Sequence, residues 1–499
     1  MTTTQTHLDP PVAMPAQEKI VQEKIVETTD NGFVTVTSQG SVSQTRPHTS
    51  IACVIPAYNE EDSIAGVLDS LLAQSRPPEV VHVVINNTTD RTFPIARSYA
   101  GEHLQADEGP GHTVETYSTY VFVHDIGENA DKKVGALNYG FAKVCDSFDY
   151  LLGVDGDTIL EFDTVERLEQ EARSESRIGG ISAIYTVDHA SSRGVVSSFL
   201  TTGQRAQFAA FTMDNLLRGR NMAVLGGQCS LFSMQALKDV MEANRQATPW
   251  VRDSEVEDSL LSLQLRSIGA ATKISATARA FVGGMHTVRA LDGQQVKWNF
   301  GAIDLMWPGQ RSTTAGQPFH PNLRLRWFEN ISMLGNILIR LGFLLLLAAS
   351  LSIDAFVFSP IWLIPPAVSV VLNLRIAMSI KGHTARDILF ALLFFPSEIY
   401  LWIRMGHFIR AWAKFFSKAQ TDNWAAQAKA EGGRGSAFLA PLVVAALIVG
   451  GAMYAWFQQP AGVQSAILSL GWPLLYITTM VMTFFMLRKA VRRHHGFTV

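Results

Sequence analysis

The chain is 499 residues long, 47% hydrophobic and 17% charged, with a formal net charge of −3 at pH 7. So even a balance leaves no electrostatic footprint for nucleic acid, and that class of partner is excluded. The apolar residues are unevenly spread, with long uncharged runs from about Leu334 onward, so the composition describes two physically different parts and not one large globule.

Residues 1–48 are polar and rich in Thr and Gln, and they lack the apolar stretch of a secretory signal. They are predicted to be a disordered cytoplasmic tail, with Gln17 to Glu27 patterned at most as a short helix. Residues 49–330 read as a soluble domain. Ile51 to Ile55, Val80 to Ile85, Tyr120 to Val123 and Tyr150 to Val154 have the composition of short strands, and Glu61 to Gln74 and Asp131 to Val144 that of helices between them. The alternation predicts an α/β fold, a parallel sheet flanked by helices. Cys53, Cys145 and Cys229 lie in this part without metal-ligand spacing, as expected of core residues facing a reducing cytoplasm.

In open sheets of this kind ligands bind outside the carboxyl ends of the strands. Each predicted strand end is polar here: Tyr58-Asn59-Glu60, Asn86-Asn87 through Asp90, His124-Asp125 and Asp155-Gly156-Asp157. The last is the strongest local signal. Its two carboxylates, separated by a glycine that permits a tight turn, can hold a hard divalent cation against a diphosphate, although turn chemistry alone often gives the same letters. Glu255 to Asp258 opens the amphipathic run Ser259 to Ile268, where a carboxylate serves either as a helix cap or as a general base. Gln294-Gln295-Val296-Lys297-Trp298 follows. Trp298 has a face that can stack on a sugar ring and Lys297 a charge that can neutralise phosphate; a buried tryptophan is the plainer reading.

Residues 331–499 are predicted to form a membrane domain with crossings at about 334–353, 355–376, 437–457 and 466–487. Arg340 is close enough to the start of the first to snorkel toward the headgroups. The Lys and Arg bias of the short loops places the catalytic part and both termini in the cytoplasm. Between 388 and 418, Arg404, His407, Arg410, Lys414 and Lys418 fall on one helical face, and Trp402, Met405, Phe408, Ile409, Trp412 and Phe416 on the other. That pattern predicts an interfacial or re-entrant helix, with a fifth crossing as the alternative.

The three motifs, in this order and spacing, resemble the family 2 glycosyltransferases, and within them the membrane-integrated branch of cellulose, chitin, hyaluronan and poly-N-acetylglucosamine synthases. The resemblance covers roughly Ser50 to the C-terminus and implies a GT-A-like, Rossmann-type mixed sheet with flanking helices followed by a helical transmembrane region. Pro56-Ala57-Tyr58-Asn59-Glu60 is similar to the family's Pro-x-Tyr-Asn-Glu opening, and Lys133 to Asn138 to its Lys-x-x-Ala-Leu-Asn segment. By the same resemblance Asp155 and Asp157 hold Mg2+ or Mn2+, Asp258 beside Glu257 is the catalytic base, and Gly227 and Gln228 lie in a Gly-rich loop near the acceptor. Gln294, Lys297 and Trp298 match the Gln-x-x-Arg-Trp signature. Two positions depart from the pattern. Asn86 and Asn87 stand where a base-reading aspartate is common, with Asp90 nearby, and Lys297 replaces the signature arginine, keeping its charge but not its bidentate fork.

The resemblance implies an inverting, metal-dependent transfer of a sugar from a nucleotide-diphosphate donor, UDP-linked by resemblance, to a carbohydrate or lipid-linked acceptor hydroxyl at a lipid membrane. Its setting is polysaccharide synthesis. The altered Lys297 and Asn pair keep open a single-sugar transferase acting on a polyprenyl phosphate, lipid or protein, and a silent sugar-nucleotide-binding subunit is a third reading, opposed by the intact carboxylates.

Overall fold

Strands β1 (Ile51–Ala57) and β2 (Val80–Ile85) are buried at every residue, which is why they read as continuous apolar runs: helices cover both faces. The computed structural model describes residues 49–106, 116–188, 192, 194–251, 256–307, 323–417 and 423–499. The predicted tail, Glu255 and Lys418 lie outside the described residues. The sheet is completed by β3 (Gly101–Ala106), β4 (Thr116–Asp125), β5 (Tyr150–Val154), β6 (Ile159–Leu160), β7 (Ile178–Val187), β8 (Cys229–Ser233) and β9 (Ala271–Val282), in the order β3-β4-β2-β1-β5-β8-β7-β9-β6.

Strands β4, β2, β1 and β5 are parallel, as the alternation predicts. The remainder is mixed: β3 and β6 pair antiparallel at the two edges, and β8 runs antiparallel between β5 and β7 because of one return of the chain. After β7 the long helix Val195–Leu217 runs back along the sheet to the start of β9, where Met222 N–H donates to the Thr272 carbonyl at 3.0 Å. Residues 218–228 then retrace that length, so β8 begins beside the carboxyl end of β5, with Cys229 opposite Val154, and runs antiparallel. This route delivers Gly227 and Gln228 to the end of β5. The helices are α1 (Ile64–Leu72), α2 (Thr92–Arg97), α3 (Lys132–Val144), α4 (Thr164–Arg173), α5 (Val195–Leu217), α6 (Met234–Asn244), α7 (Glu257–Ser267) and α8 (Val288–Met306). Helix α3 buries Val134, Leu137, Phe141 and Val144 at helical spacing, and Gly140 lets it lie against β1, since a Cβ there would stand 2.4 Å from Val54 Cγ1.

Beyond the sheet lie α9 (Arg324–Ser352), α10 (Ile364–Ser379), α11 (Ala385–Leu392), α12 (Phe394–Phe416), α13 (Asn423–Glu431), α14 (Ala440–Phe457) and α15 (Ala461–Val491). Among the described residues four helices, α9, α10 with its preceding 3-10 turn, α14 and α15, are long and apolar enough to cross a membrane, and α11 and α12 form a pair bent by 83°. Two expectations need correction. Helix α9 starts ten residues before the predicted crossing, so Arg340 is mid-helix; it does not snorkel but pairs with Glu398 of α12, Nη2 to Oε2 at 2.9 Å, and donates to Asn336 Oδ1 at 2.8 Å. The cationic face of α12 turns inward as well. Arg410 pairs with Asp292 on α8, and His407 is buried beside the same carboxylate at 3.8 Å, because the catalytic domain packs on that face and supplies the counter-charge.

His82 on β2 and His124 on β4 face each other in the core, Nδ1 to Nε2 at 2.9 Å. Burial, reinforced by His124 and Lys143, pushes His82 down to about 3, and burial with Lys143 pushes His124 down to about 4. Both rings stay neutral in the fold while an unfolded histidine takes up a proton near 6.5, so this contribution is complete above about pH 6.5 and is lost as pH falls toward 4. Thermal unfolding is expected to show a loss of about 2 kcal/mol per imidazole at pH 5 relative to pH 7.5. His82→Phe should remove roughly half of that acid sensitivity; an unchanged pH profile in the variant would dissociate the ring pair from acid lability.

Candidate active site

The strand ends predicted to carry chemistry converge, but not all of their side chains point to one place. After β1, Tyr58 is exposed, and Asn59, at φ 53°, accepts from Thr89 N–H at 2.9 Å. Glu60 accepts from Ser63 Oγ at 2.6 Å and lies against Gly156, where a Cβ would be 2.9 Å from Glu60 Cγ and 3.5 Å from the carbonyl of buried Pro56. After β2, Asn86 is buried and donates to the Ala57 carbonyl at 3.4 Å, while Asn87 exchanges two hydrogen bonds with the Asn129 backbone at 2.8 and 2.9 Å. Asp90 accepts from the Thr92 hydroxyl at 2.5 Å, from Thr92 N–H at 2.9 Å and from Glu61 N–H at 3.0 Å; burial works to raise its carboxyl, but these bonds hold it below its usual range. These three side chains organise the loops around the strand ends.

The charged cluster sits at the end of β5. Lys133, in the first turn of α3, places Nζ 2.6 Å from Asp155 Oδ1 and 3.7 Å from Glu257 Oε1. Glu257 and Asp258 both occupy the first turn of α7, where the helix dipole favours anions, and Asp258 Oδ2 accepts the Gly227 N–H at 2.9 Å. A Cβ on Gly227 would meet Lys133 Nζ at 2.4 Å, Asp155 Oδ1 at 3.0 Å and Asp258 Oδ2 at 3.2 Å, so three charged atoms surround one point that only a glycine leaves open. Gln228 Oε1 is buried with no hydrogen-bond partner among the described residues. On α8, Lys297 is buried and within electrostatic reach of Glu257, Lys133 and Asp155, whereas Trp298, half-buried, lies with its ring 6.4 Å from Phe208 in a cluster with Val187 and Val282; Gln294 is half-buried on the same helix.

Residues 52–241 match the model described as Glycosyl transferase family 2, and residues 150–377 the model described as Glycosyl transferase family group 2. Residues 52–377 thus carry family 2 glycosyltransferase sequence. It is 22% identical over 281 residues to a poly-beta-1,6-N-acetyl-D-glucosamine synthase of Staphylococcus aureus strain MSSA476, covering 56% of this chain and 61% of that one. A synthase of the same description from Staphylococcus epidermidis is 22% identical over 266 residues, 52% of this chain and 57% of its own. The alignment thus spans about three fifths of the length of these curated relatives. A mannosyltransferase from Pyrobaculum calidifontis, solved with GDP-Man and Mn2+, superposes with a TM-score of 0.47 at 15% identity, over 75% of this chain and 89% of that one.

In this family 2 domain the electrostatics follow from burial. Burial and then Asp157 and Asp155 push Glu60 up to about 8; burial and Asp155 push Asp157 up to about 6. Burial, then Glu257, raise Asp258 well above the carboxylate range, while burial pushes Lys297 down to about 8. Lys133 loses by burial but gains more from Asp155, Asp258 and Glu257, which hold its ammonium above the ordinary range. Excess negative charge in oxygen donors suits a hard cation. Among the described residues no three His, Cys, Asp or Glu side chains enclose a metal by themselves, and Mg2+ or Mn2+ held by one or two carboxylates plus substrate phosphates requires no such enclosure. Asp155 and Asp157 fit that role. The motifs did not point to Gly283, where a Cβ would be 2.7 Å from Asp157 Oδ2, or to Tyr185, which lies within reach of the Asp258 charge; the Gly283-Gly284 pair after β9 was the available signal.

Lys133→Met tests this account without turnover. Lys133 restrains the raised pKa values of Asp258 and Asp157, so removing it lifts them further above the unfolded ones; the penalty is slight where these groups are protonated and grows as pH climbs through about 8. The unfolding free energy is expected to fall by about 3–5 kcal/mol at pH 8.5 and by clearly less at pH 6. A loss independent of pH would exclude charge compensation as its cause.

Proposed function

We propose that this chain is an inverting, metal-dependent transferase that moves a sugar from a UDP-linked donor to an acceptor hydroxyl at the membrane, extending a polysaccharide. The observation that carries the reading is the meeting of Asp155, Lys133 and Asp258 around Gly227, which sets a candidate base beside the donor-binding carboxylates. The relatives' description as poly-beta-1,6-N-acetyl-D-glucosamine synthases favours an N-acetylhexosamine as the transferred sugar. The four apolar helices and the Lys and Arg bias of their loops support a catalytic domain and termini on the cytoplasmic face.

In the mechanism, Asp258 takes the proton of the acceptor hydroxyl, whose oxygen forms a bond to the anomeric carbon as the bond from that carbon to the diphosphate oxygen breaks and its electrons leave with the nucleoside diphosphate. Asp155 and Asp157 would hold a divalent cation, which when bound would supply charge stabilisation for the leaving diphosphate. Lys133 and Lys297 add positive charge on the same side, and the Gly227 N–H fixes the carboxylate oxygen that receives the proton. In this reading Gln228 and Trp298 orient the acceptor, a role that rests on the resemblance of their motifs. Burial holds Asp258 protonated at neutral pH and pushes Lys297 down to about 8, so kcat/KM is expected to climb toward about pH 8 as the base is recruited and to fall beyond it as Lys297 loses its charge.

Asp258→Asn should leave donor affinity within about threefold while lowering transfer by more than about 1000-fold. Gly227→Ala, which puts a methyl among the three charges, should lower kcat/KM by about 100-fold with little change in thermal stability. The deciding assay incubates membranes with Mg2+ or Mn2+ and a panel of labelled nucleotide sugars. A metal-dependent, high-mass product from one donor, absent with Asp258→Asn, supports extension; a single sugar on a lipid or protein replaces it with single transfer, and no turnover of any donor rejects the enzymatic reading.

A further inference from the structure

One face of α5 carries three buried residues at helical spacing, Thr201, Gln204 and Arg205, and all three grip the ends of β7 and β9 and the loop beyond. Gln204 is 2% exposed and clamps Met285 at two points: its Oε1 accepts the Met285 N–H at 3.0 Å and its Nε2 donates to the Met285 carbonyl at 2.8 Å. Thr201 closes on the residue before, since a Cβ on Gly284 would stand 3.2 Å from Thr201 Cγ2 and 2.6 Å from Val187 Cγ1. One residue earlier, Gly283 is the wall of Asp157, close enough that a Cβ would lie 2.7 Å from Oδ2. The loop 283–285 therefore runs from the candidate metal carboxylate directly into the Gln204 clamp.

Arg205 extends the chain of contacts. Its Nη1 donates to the Val187 carbonyl at 2.9 Å, at the end of β7, where Val187 pairs with Val282. Its Nε bonds Asp387 Oδ1 at 3.1 Å, and Asp387 Oδ2 accepts the Thr384 N–H at 2.8 Å, closing the capping box that starts α11. Thr201, Gln204, Arg205 and Asp387 are all buried, so the linkage is not loosened by solvent.

Resting on the proposed cation role of Asp157, we infer that Gln204 and Arg205 are positioning residues that fix the Gly283 wall behind Asp157 and tie it to the first helix of the bent pair at the membrane region. Neither touches substrate. Their effect is to hold one carboxylate at a set distance from its partner Asp155, a geometry on which cation affinity depends steeply: losing the outer partners of metal-binding groups typically weakens affinity by about 10–100-fold.

The test uses the full chain in lipid nanodiscs and reads Mn2+ binding in the presence of UDP by the loss of the free Mn2+ electron paramagnetic resonance signal. Gln204→Leu, which keeps the volume but loses both clamp bonds, should weaken Mn2+ by about tenfold or more and leave metal-free UDP affinity unchanged. Gln207→Leu, one turn along the same helix and bonded to Gln295 and Tyr400 at 3.2 and 3.0 Å instead, should keep wild-type Mn2+ affinity. Wild-type Mn2+ affinity in Gln204→Leu, or equal weakening in both variants, overturns the inference. If Gln204→Leu does not fold, Gly283→Ala decides: it presses a methyl on Asp157 and should weaken Mn2+ similarly, and unchanged affinity overturns the inference. Failure of the wild type to bind Mn2+ with UDP defeats the proposed metal-dependent function, and this inference with it.

Discussion

Carboxylates gathered in a partly buried cluster are stable only if something positive lies among them, and the Lys133 ammonium, 2.6 Å from Asp155 and within reach of Glu257 and Asp258, fills that need. Charges removed from water cost several kcal/mol each unless paired. Around this ammonium the chain brings together elements far apart in sequence: the end of β5, the first turns of α3 and α7 and the retracing segment before β8. The end of β5 brings one carboxylate, the first turn of α7 two and that of α3 the ammonium, while the retracing segment brings the Gly227 N–H that Asp258 accepts. The remaining surplus is eased at Glu60 by protonation, its carboxyl being pushed up to about 8, whereas Asp157, pushed up to about 6, stays ionised at neutral pH.

Such a concentration of side chains leaves little space for backbone, and three glycines mark where backbone must pass. Gly156 gives way to Glu60, Gly227 to Lys133 and Gly283 to Asp157. None of the three has a positive φ, so the requirement at these places is close approach and not an unusual turn. Substituting them therefore perturbs charge geometry before it perturbs the fold.

Much of this was legible in the chain itself. The apolar runs of β1, β2 and β5 announce strands because both faces are covered, and the polar letters after them mark the site. Asp155, Asp157, Glu257 and Asp258 could be picked out because carboxylates at element boundaries are chemically pointed. What was not legible depends on partners hundreds of residues away. The inward turn of the α12 cations was hidden because periodicity gives a face but not what lies opposite it, and Asp292 supplies that answer only once α8 packs there. The loop-binding role of Asn87 was hidden for the same reason, its partner being the backbone of Asn129. The grip of Gln204 on Met285 has no local signature at all, since a glutamine inside a helix is usually a solvated residue.

The pair formed by Arg340 and Glu398 bears on how the chain is built. An arginine near the centre of a helix opposes partition into lipid by about 2.5–3.5 kcal/mol. Its counter-charge is synthesised 58 residues later, after another apolar helix has already emerged. Helix α9 therefore gains its full preference for the bilayer only when α12 arrives, and the two enter their final depth as a unit. The first apolar helix is thus compensated by a residue beyond the bend, so its seating in the bilayer depends on a segment made later.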